Sequence, residues 1–270
     1  MATKSTEAQT AKGMNLNVGI KGLKEGTNIL DIEVPAYLRL RRQTGISWFD
    51  DALGGQGMVP TQVMMLTGAP GAGKTTMVLQ LADSIMKAGH IALYNTGEES
   101  LYQTKLVAER LKLQSGFIAG QDDMCETLLQ KADNLMKAHP GKQVFILQDS
   151  LQTLDDGKYR DGGKTGNTPV RCCEMLTDWA KSKRPGDAYG ICIFIGQATK
   201  GGDFAGKNTI KHAVDTHGML YFDEDKRSET WGERLFEVTK NRFGCNGKTY
   251  IIGMDGKGLH EKGHIQIGKD

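Results

Sequence analysis

Residues 68–76 read Gly68-Ala69-Pro70-Gly71-Ala72-Gly73-Lys74-Thr75-Thr76. An apolar run at 63–66 precedes this stretch, and a helix-like segment begins near Thr75. Glycines allow successive backbone N–H groups to turn inward, and the N-terminus of the following helix adds partial positive charge at the same place. A Gly-x-x-x-x-Gly-Lys-Thr loop between a strand and a helix therefore predicts a phosphate-binding loop, the P-loop, at 68–76.

Two side chains of the P-loop have predictable tasks. Lys74 is predicted to bridge the β- and γ-phosphates of a nucleotide, and Thr75 to supply a hydroxyl to Mg²⁺. Because the chain contains 35 glycines, the match by itself could be an ordinary Gly-rich turn. The strand before the loop and the helix after it favour the phosphate-binding interpretation. We therefore expect ATP and Mg²⁺ as cofactors.

Composition restricts the class of protein. The 270 residues are 39% hydrophobic and carry a net charge of +2, so no overall electrostatic attraction draws the chain to nucleic acid or membrane. Residues 1–12 lack an apolar signal region, and no stretch approaches the ~18 apolar residues of a membrane span. We expect a cytoplasmic protein without a membrane partner. No Cys-x-x-Cys pair occurs, so we expect reduced thiols and no zinc site. The five cysteines are Cys125, Cys172, Cys173, Cys192 and Cys245.

The chain is organised as an arm followed by a core. Residues 1–34 show no sustained periodicity and are closed off by Pro35, which predicts a flexible or docking arm before a core at 35–270. From residue 62 onward, apolar strands alternate with amphipathic helices, which is typical of an α/β fold with a mostly parallel sheet flanked by helices. These strands are predicted at 62–67, 91–95, 117–119, 144–147 and 191–195. Further strands at 218–223, 234–240 and 248–254 are predicted to be antiparallel additions to the sheet.

Polar residues follow several predicted strands, where a parallel sheet binds its ligand. Asp149 is predicted to hold Mg²⁺ as a Walker B aspartate. Position 150 is Ser rather than Glu, so the catalytic base must come from elsewhere. Glu98 is the predicted base and Glu99 its competitor, although either carboxylate could merely stabilise the following helix N-terminus. Gln197 is predicted to hydrogen-bond the γ-phosphate.

Several motifs resemble, in chain order, the ATPase core of the RadA/Sms family, which has a RecA-type fold and is related to DnaB-type helicases. The resemblance covers about residues 40–260, and Lys240-Asn241-Arg242-Phe243-Gly244 is its most specific motif. The matching segments are 44–46, 50–55, 68–76, 94–100, 149–153, 199–202, 205–206, 212–215 and 240–244. The resemblance implies a RecA-like P-loop NTPase.

The resemblance also implies that Lys240 and Arg242 reach the nucleotide site of a neighbouring subunit, so that hydrolysis requires an oligomer. Cations on a turn at the end of an edge strand are poorly placed for their own P-loop and well placed for another. The alternative is a basic hairpin on the surface.

Two departures from the family pattern matter. Members carry an N-terminal four-cysteine zinc module and a C-terminal Lon-like domain, and neither pattern occurs in this sequence, so we expect a stand-alone core. Gln197 stands where the family usually has His, and RecA and DnaB relatives place Gln there. The coupling between nucleotide and DNA is therefore expected to resemble theirs.

Members of the family grip single-stranded DNA with two loops, which correspond here to 154–169 and 200–209. Each loop combines cations for phosphates with an aromatic residue for base stacking. The predicted DNA-binding residues are Lys158, Arg160, Lys164, Lys200, Phe204 and Lys207. Charged loops are often simply solvated, and Asp155, Asp156 and Asp161 oppose the cations of the first loop.

These observations support three hypotheses about function. The first is an ATPase that drives DNA unwinding or branch migration in recombination, repair or replication, acting as a hexameric ring. The second is a RecA-like filament that pairs homologous strands, in which hydrolysis only resets the assembly. The third is a nucleotide-switched scaffold that resembles the KaiC group and has no nucleic-acid partner.

Overall fold

The computed structural model describes residues 27–159, 163–186, 188–197, 208–244 and 247–266. The chain divides between Glu33 and Val34 into two units. In the first unit the described residues contain one turn of 3-10 helix, Ile29–Asp31, which is capped by the side chain of Asn28. Residues 1–26 lie outside the described residues, and the flexible or docking arm stays a prediction. The remaining features belong to the second unit.

The described part of the second unit contains one nine-stranded sheet. Its strands are β1 Val63–Gly68, β2 Ile91–Thr96, β3 Ile118–Gly120, β4 Val144–Asp149, β5 Ile191–Ile195, β6 Thr216–Phe222, β7 Arg234–Asn241, β8 Lys248–Asp255 and β9 Gly258–Gln266. Their order across the sheet is β3-β2-β4-β5-β1-β6-β7-β8-β9. The strands from β3 to β6 are parallel, and β7, β8 and β9 continue the sheet in antiparallel fashion.

Helices cover both faces of this sheet. They are α1 Ala36–Arg39, α2 Ser47–Ala52, α3 Lys74–Lys87, α4 Leu101–Arg110, α5 Cys125–Ala138, α6 Thr168–Lys181 and α7 Asn208–Ala213, with a 3-10 turn at Leu151–Thr153. Alternate side chains of β1 enter two separate apolar cores: Met64 packs with α2 and α3, and Met65 with α5 and α6. No helix in the described ranges is long and apolar enough to cross a membrane.

The predicted fold class, α/β with a mostly parallel sheet and antiparallel C-terminal strands, is confirmed. Two details of the prediction were wrong. The strand expected at 218–223 lies in β6, which is antiparallel to β7 but parallel to β1, because α7 supplies the crossover that a parallel connection needs. Strand β9 was not predicted because its side chains are mostly exposed and polar, as at an edge, so the sequence has no apolar alternation.

The cysteines within the described residues are free and buried: Cys125, Cys172, Cys173 and Cys192. They belong to the apolar core that packs under α5 and α6. Burial raises the pKa of Cys173 to about 12, so its thiol stays protonated at neutral pH. Cys245 lies outside the described residues.

A buried histidine on β6 bridges the two neighbouring strands of the sheet. His217 on β6 hydrogen-bonds Thr67 on β1 through Nε2 (2.7 Å) and Thr239 on β7 through Nδ1 (2.6 Å). Burial lowers the pKa of His217 to about 4, and the positive charges of Lys211 and Lys240 contribute in the same direction. The folded protein therefore holds a neutral imidazole at this position.

This histidine is expected to make stability depend on pH. The unfolded chain binds a proton at His217 near pH 6.5, whereas the folded chain does so only near pH 4. The contribution of His217 to stability is therefore complete above pH 6.5, declines as pH falls below 6.5 and is fully lost once pH has fallen through 4. The loss amounts to about 3 kcal/mol in the free energy of unfolding. Urea unfolding of the wild type and of His217→Gln between pH 7 and pH 4 measures it. The variant should show a correspondingly weaker dependence, and an identical slope would contradict the assignment.

Candidate nucleotide-binding site

The P-loop connects β1 to α3, as the sequence predicts. Gly68 passes so close to β6 that a Cβ there would lie 1.9 Å from the carbonyl oxygen of Leu220, which no side chain tolerates. Gly73 has φ 99°, a left-handed conformation, and forms the N-cap of α3. These two glycines allow the backbone to turn tightly at the carboxyl end of β1.

A cavity of about 480 Å³ opens beside the P-loop. Its walls bring together predicted residues from three other strand ends: Glu98 after β2, Asp149 at the end of β4 and Gln197 after β5. This volume is ordinary for a small-molecule site. Met254 at the end of β8 also lines the cavity and was not predicted, because an apolar residue on an antiparallel strand carries no local signal of function.

Lys74 is held within its own loop. Its Nζ donates to the carbonyl oxygens of Gly68 (2.9 Å) and Ala69 (3.0 Å). Burial lowers the pKa of Lys74, while the negative charges of Asp149 and Glu98 act in the opposite direction. Lys74 also lines the cavity, where its ammonium group would neutralise phosphate charge.

Thr75 and Asp149 form an oxygen pair beside the P-loop. Thr75 Oγ1 donates to Asp149 Oδ2 at 2.7 Å, and the hydroxyl of Tyr94 donates to the same oxygen at 3.3 Å. Burial raises the pKa of Asp149 to about 6, and the charges of Glu98 and Glu99 add to this effect. Hydroxyl and carboxylate oxygens suit Mg²⁺, and a divalent cation would offset this concentration of negative charge. The residues present thus fit the predicted metal.

The two candidate bases, Glu98 and Glu99, have different surroundings in the structure. Glu98 lines the cavity, and its Oε1 accepts hydrogen bonds from Ser150 Oγ (2.5 Å) and Gln197 Nε2 (2.7 Å). Glu99 is not among the described residues that line the cavity, and its buried Oε2 has no hydrogen-bond partner among them. The arrangement favours Glu98 as the base that activates water.

The N-terminus of α4 does not depend on either glutamate for its cap. Ser100 is the N-cap and forms a capping box with Gln103. This cap satisfies the first backbone donors of α4. It therefore weakens the alternative that Glu98 or Glu99 merely stabilises the helix N-terminus.

Gln197 and Ser150 both contact Glu98 at the cavity. The amide of Gln197 donates to the carboxylate of Glu98 at the cavity, and its contact with the γ-phosphate stays a prediction. Ser150 entered the sequence argument only as a residue that cannot be the base, yet it also donates to Glu98. The sequence has no signal for this contact because the two residues lie 52 positions apart and meet only through the pairing of β2 with β4.

The basic turn, residues 240–244, and the P-loop lie at opposite ends of the strands of the sheet. Asn241 at the end of β7 pairs with Thr216, and Thr216 pairs with Met64 near the start of β1. The P-loop begins four residues farther along β1, at Gly68, which corresponds to roughly 13 Å at the rise of a strand. Lys240 and Arg242 are therefore not assembled into the nucleotide site of their own chain.

Both cations of the basic turn contact the end of α7 or the segment that links it to β6. Lys240 Nζ donates to the carbonyl oxygens of Lys211 (2.9 Å), His212 (3.2 Å) and Val214 (2.7 Å). Arg242 Nη1 lies 3.1 Å from Asp215 Oδ1. Lys240 thus satisfies the last carbonyls of α7, a structural role that the sequence did not predict.

Two of the predicted DNA-binding residues are described. Lys158 and Lys164 are exposed on the loop before α6; Lys158 Nζ lies 5.8 Å from the ring centre of Tyr159, and Lys164 Nζ donates to the carbonyl oxygen of Thr153 at 2.5 Å. The other four, Arg160, Lys200, Phe204 and Lys207, lie outside the described residues.

The acidic residues of this loop are engaged within the protein. Asp155 is buried and accepts from the N–H of Gly157 (2.8 Å), and Asp156 forms an ion pair with Arg171 that lowers the pKa of the Asp156 carboxyl. Because Asp155 and Asp156 are engaged in these contacts, their negative charges offset the exposed cations of the loop less than the sequence suggested. Asp161 lies outside the described residues.

The fold and the site place the chain among the P-loop ATPases. A family model described as "ATPase: KaiC" matches residues 42–117, which include β1, the P-loop, β2 and Glu98. The DNA repair protein RadA of Haemophilus influenzae is 34% identical over 221 residues, 82% of this chain and 44% of that protein. RadA of Bacillus subtilis is 32% identical over 243 residues, 90% of this chain and 49% of that protein. The chain spans about half the length of the curated relatives it matches.

Solved structures agree in fold. A DnaB-like replicative helicase superposes with a TM-score of 0.64 at 15% identity, covering 79% of this chain and 59% of that one. A KaiC-like protein from Pyrococcus horikoshii gives 0.62 at 16% identity, covering 82% of this chain and 98% of that one. The chain is an ATPase core of the RadA/RecA type, and the resemblance found in the sequence is confirmed.

Proposed function

We propose that this chain is an ATP-hydrolysing motor that binds single-stranded DNA and acts as a ring of identical subunits, with helicase or branch-migration activity in DNA repair, recombination or replication. The observation that supports the proposal is that the predicted site residues lie at opposite ends of the strands of one sheet. The P-loop, Glu98 and Asp149 lie at the carboxyl ends of the parallel strands, and Lys240 and Arg242 lie at the opposite end of the sheet.

The charge at the cavity supports assembly. Among the described residues that line it, Lys74 alone is cationic, and it faces the carboxylates of Glu98 and Asp149. Phosphoryl transfer requires further positive charge beside the equatorial oxygens of the transferred group, which carry negative charge. A head-to-tail contact would bring the basic turn of one copy to the cavity of the next, and such contacts generate rings when the rotation closes.

Nucleic-acid binding is supported by the loop before α6 and by the relatives. Lys158 and Lys164 are exposed cations, Tyr159 offers a ring for stacking, and Asp156 is neutralised by Arg171. The relatives reported above are named DNA repair proteins. A ring would present this weak patch in several copies, which compensates for the low net charge of one chain.

The test is ATP hydrolysis measured with and without single-stranded DNA across a protein dilution series. We expect specific activity to rise with protein concentration, because each site needs a neighbour, and to rise again on addition of DNA. Turnover that depends neither on DNA nor on concentration would overturn the proposal.

Two other functions are compatible with the same site. A head-to-tail contact that does not close gives a filament, and electron microscopy of the ATP-bound protein distinguishes it from a ring. The second alternative is a nucleotide-switched scaffold without a nucleic-acid partner, and its support is the match of residues 42–117 to the KaiC ATPase family model. Loss of activity in a Lys158→Glu, Lys207→Glu double variant that still binds ATP would count against the scaffold.

A further inference from the structure

Ser150 is fully buried and contacts the candidate base directly. Its Oγ donates to Glu98 Oε1 at 2.5 Å, and Gln197 donates to the same oxygen at 2.7 Å. Within the described residues no hydrogen bond reaches Glu98 Oε2. Two donors thus fix one carboxylate oxygen and leave the other available to a water in the cavity, which is how a base is oriented before reaction.

Thr153 holds both chain segments that carry this contact. Its Oγ1 donates to the carbonyl oxygen of Ser150 at 2.7 Å. The same side chain packs against Gly97, the residue before Glu98, where an added Cβ would lie 2.5 Å from Thr153 Cβ. A shift of Thr153 would therefore move Ser150 and the backbone of Glu98 together.

Thr153 is in turn bonded to the loop before α6. Lys164 Nζ donates to the carbonyl oxygen of Thr153 at 2.5 Å, and Lys164 is exposed. A phosphate is a stronger partner than a carbonyl for an ammonium group, so a bound nucleic-acid strand would compete for Lys164. The contacts form a continuous path: Lys164 to Thr153, Thr153 to Ser150, and Ser150 to Glu98.

We propose that Ser150 is a positioning residue for Glu98 and that Thr153 transmits the state of the Lys164 loop to this pair. The inference rests on the proposed function and gives it a regulatory contact. It is separate from the contact that Gln197 makes with Glu98, because Gln197 follows β5 and Ser150 follows β4.

The first arm of the test replaces Ser150 by alanine, which removes the hydroxyl and little volume. We expect kcat for ATP hydrolysis to fall about tenfold while KM stays within about twofold, because the base is misplaced and nucleotide binding is not. A purely structural loss would change the thermal midpoint or KM instead. An unchanged kcat, or a fall in kcat matched by an equal loss of ATP affinity, overturns the positioning role.

The second arm replaces Thr153 by valine and compares kcat with and without single-stranded DNA. We expect the stimulation factor to fall to about one while DNA affinity, measured by fluorescence anisotropy, is retained. The matched control is Thr104→Val, an equal change at a buried threonine whose hydroxyl has no partner among the described residues. If Thr153→Val keeps the wild-type stimulation, the transmission is overturned. If the wild type is not stimulated by DNA at all, the proposed function fails, and the Ser150 arm still tests the positioning role.

Discussion

Replacing Glu98 by glutamine is expected to lower kcat for ATP hydrolysis by about 10³-fold and to leave ATP affinity nearly unchanged. The amide keeps the size of the side chain and an oxygen that accepts from Ser150, but it has no basic site for the proton of the attacking water. In the proposed site the P-loop, Thr75 and Asp149 are expected to hold the nucleotide and its metal, and Glu98 is expected to orient the attacking water. Chemistry and binding should therefore separate in this variant.

Single-turnover hydrolysis and equilibrium binding of labelled ATP measure the two quantities. Glu99→Gln is the matched control, because it makes the same change one residue away, on a side chain that the described cavity wall does not include. It should retain turnover within a few-fold of the wild type. A variant pair in which Glu99→Gln stops hydrolysis and Glu98→Gln does not would reverse the assignment of the base.

Replacing Arg242 by alanine is expected to lower hydrolysis by about 10³-fold, with ATP binding intact, because in the proposed ring the guanidinium would complete the site of the next subunit. Arg242 is a cleaner choice than Lys240. Removing Lys240 would take its donor away from the carbonyl oxygens of Lys211 and Val214, and Arg242 Nη2 alone would still donate to that of His212. Asp215, the partner of Arg242, keeps its contacts to Lys181 (3.1 Å) and to the N–H of Val63 (3.1 Å).

A mixing experiment distinguishes action on a neighbour from action within one chain. The Arg242→Ala variant has an intact P-loop, and a Lys74→Ala variant has an intact basic turn but should not bind nucleotide. In a random mixture, roughly a quarter of the head-to-tail contacts pair an intact P-loop with an intact Arg242. Hydrolysis should therefore return when the two inactive proteins are combined.

The readout is steady-state ATP hydrolysis of each variant alone and of the mixture at equal total concentration. Melting temperatures of both variants control for loss of the Asp215 contact. A mixture no more active than its components would show that Arg242 acts in its own chain or only on stability. The geometry argues against action of Arg242 in its own chain, because the basic turn and the P-loop of one chain lie at opposite ends of the strands of the sheet.

Much of the fold follows from local patterns. The apolar runs at 63–66, 91–95 and 144–147 became β1, β2 and β4, and the 3.6-residue periodicity between them became α3, α4 and α5. The P-loop was readable because its glycines and Lys74 meet requirements of the backbone at one place in the chain. Strand β9 escaped because an exposed edge strand has no apolar face.

The sequence by itself determined most strands and helices of the core, with β9 an exception, and which residues stand at the carboxyl ends of parallel strands, because periodicity and turn chemistry are local. Only the tertiary structure decided that Ser150 and Gln197 share one oxygen of Glu98, that β6 is parallel to β1, and that Lys240 closes the end of α7. Each of these contacts joins residues far apart in the chain. Their meeting depends on the order of strands across the sheet, which no single stretch of residues specifies.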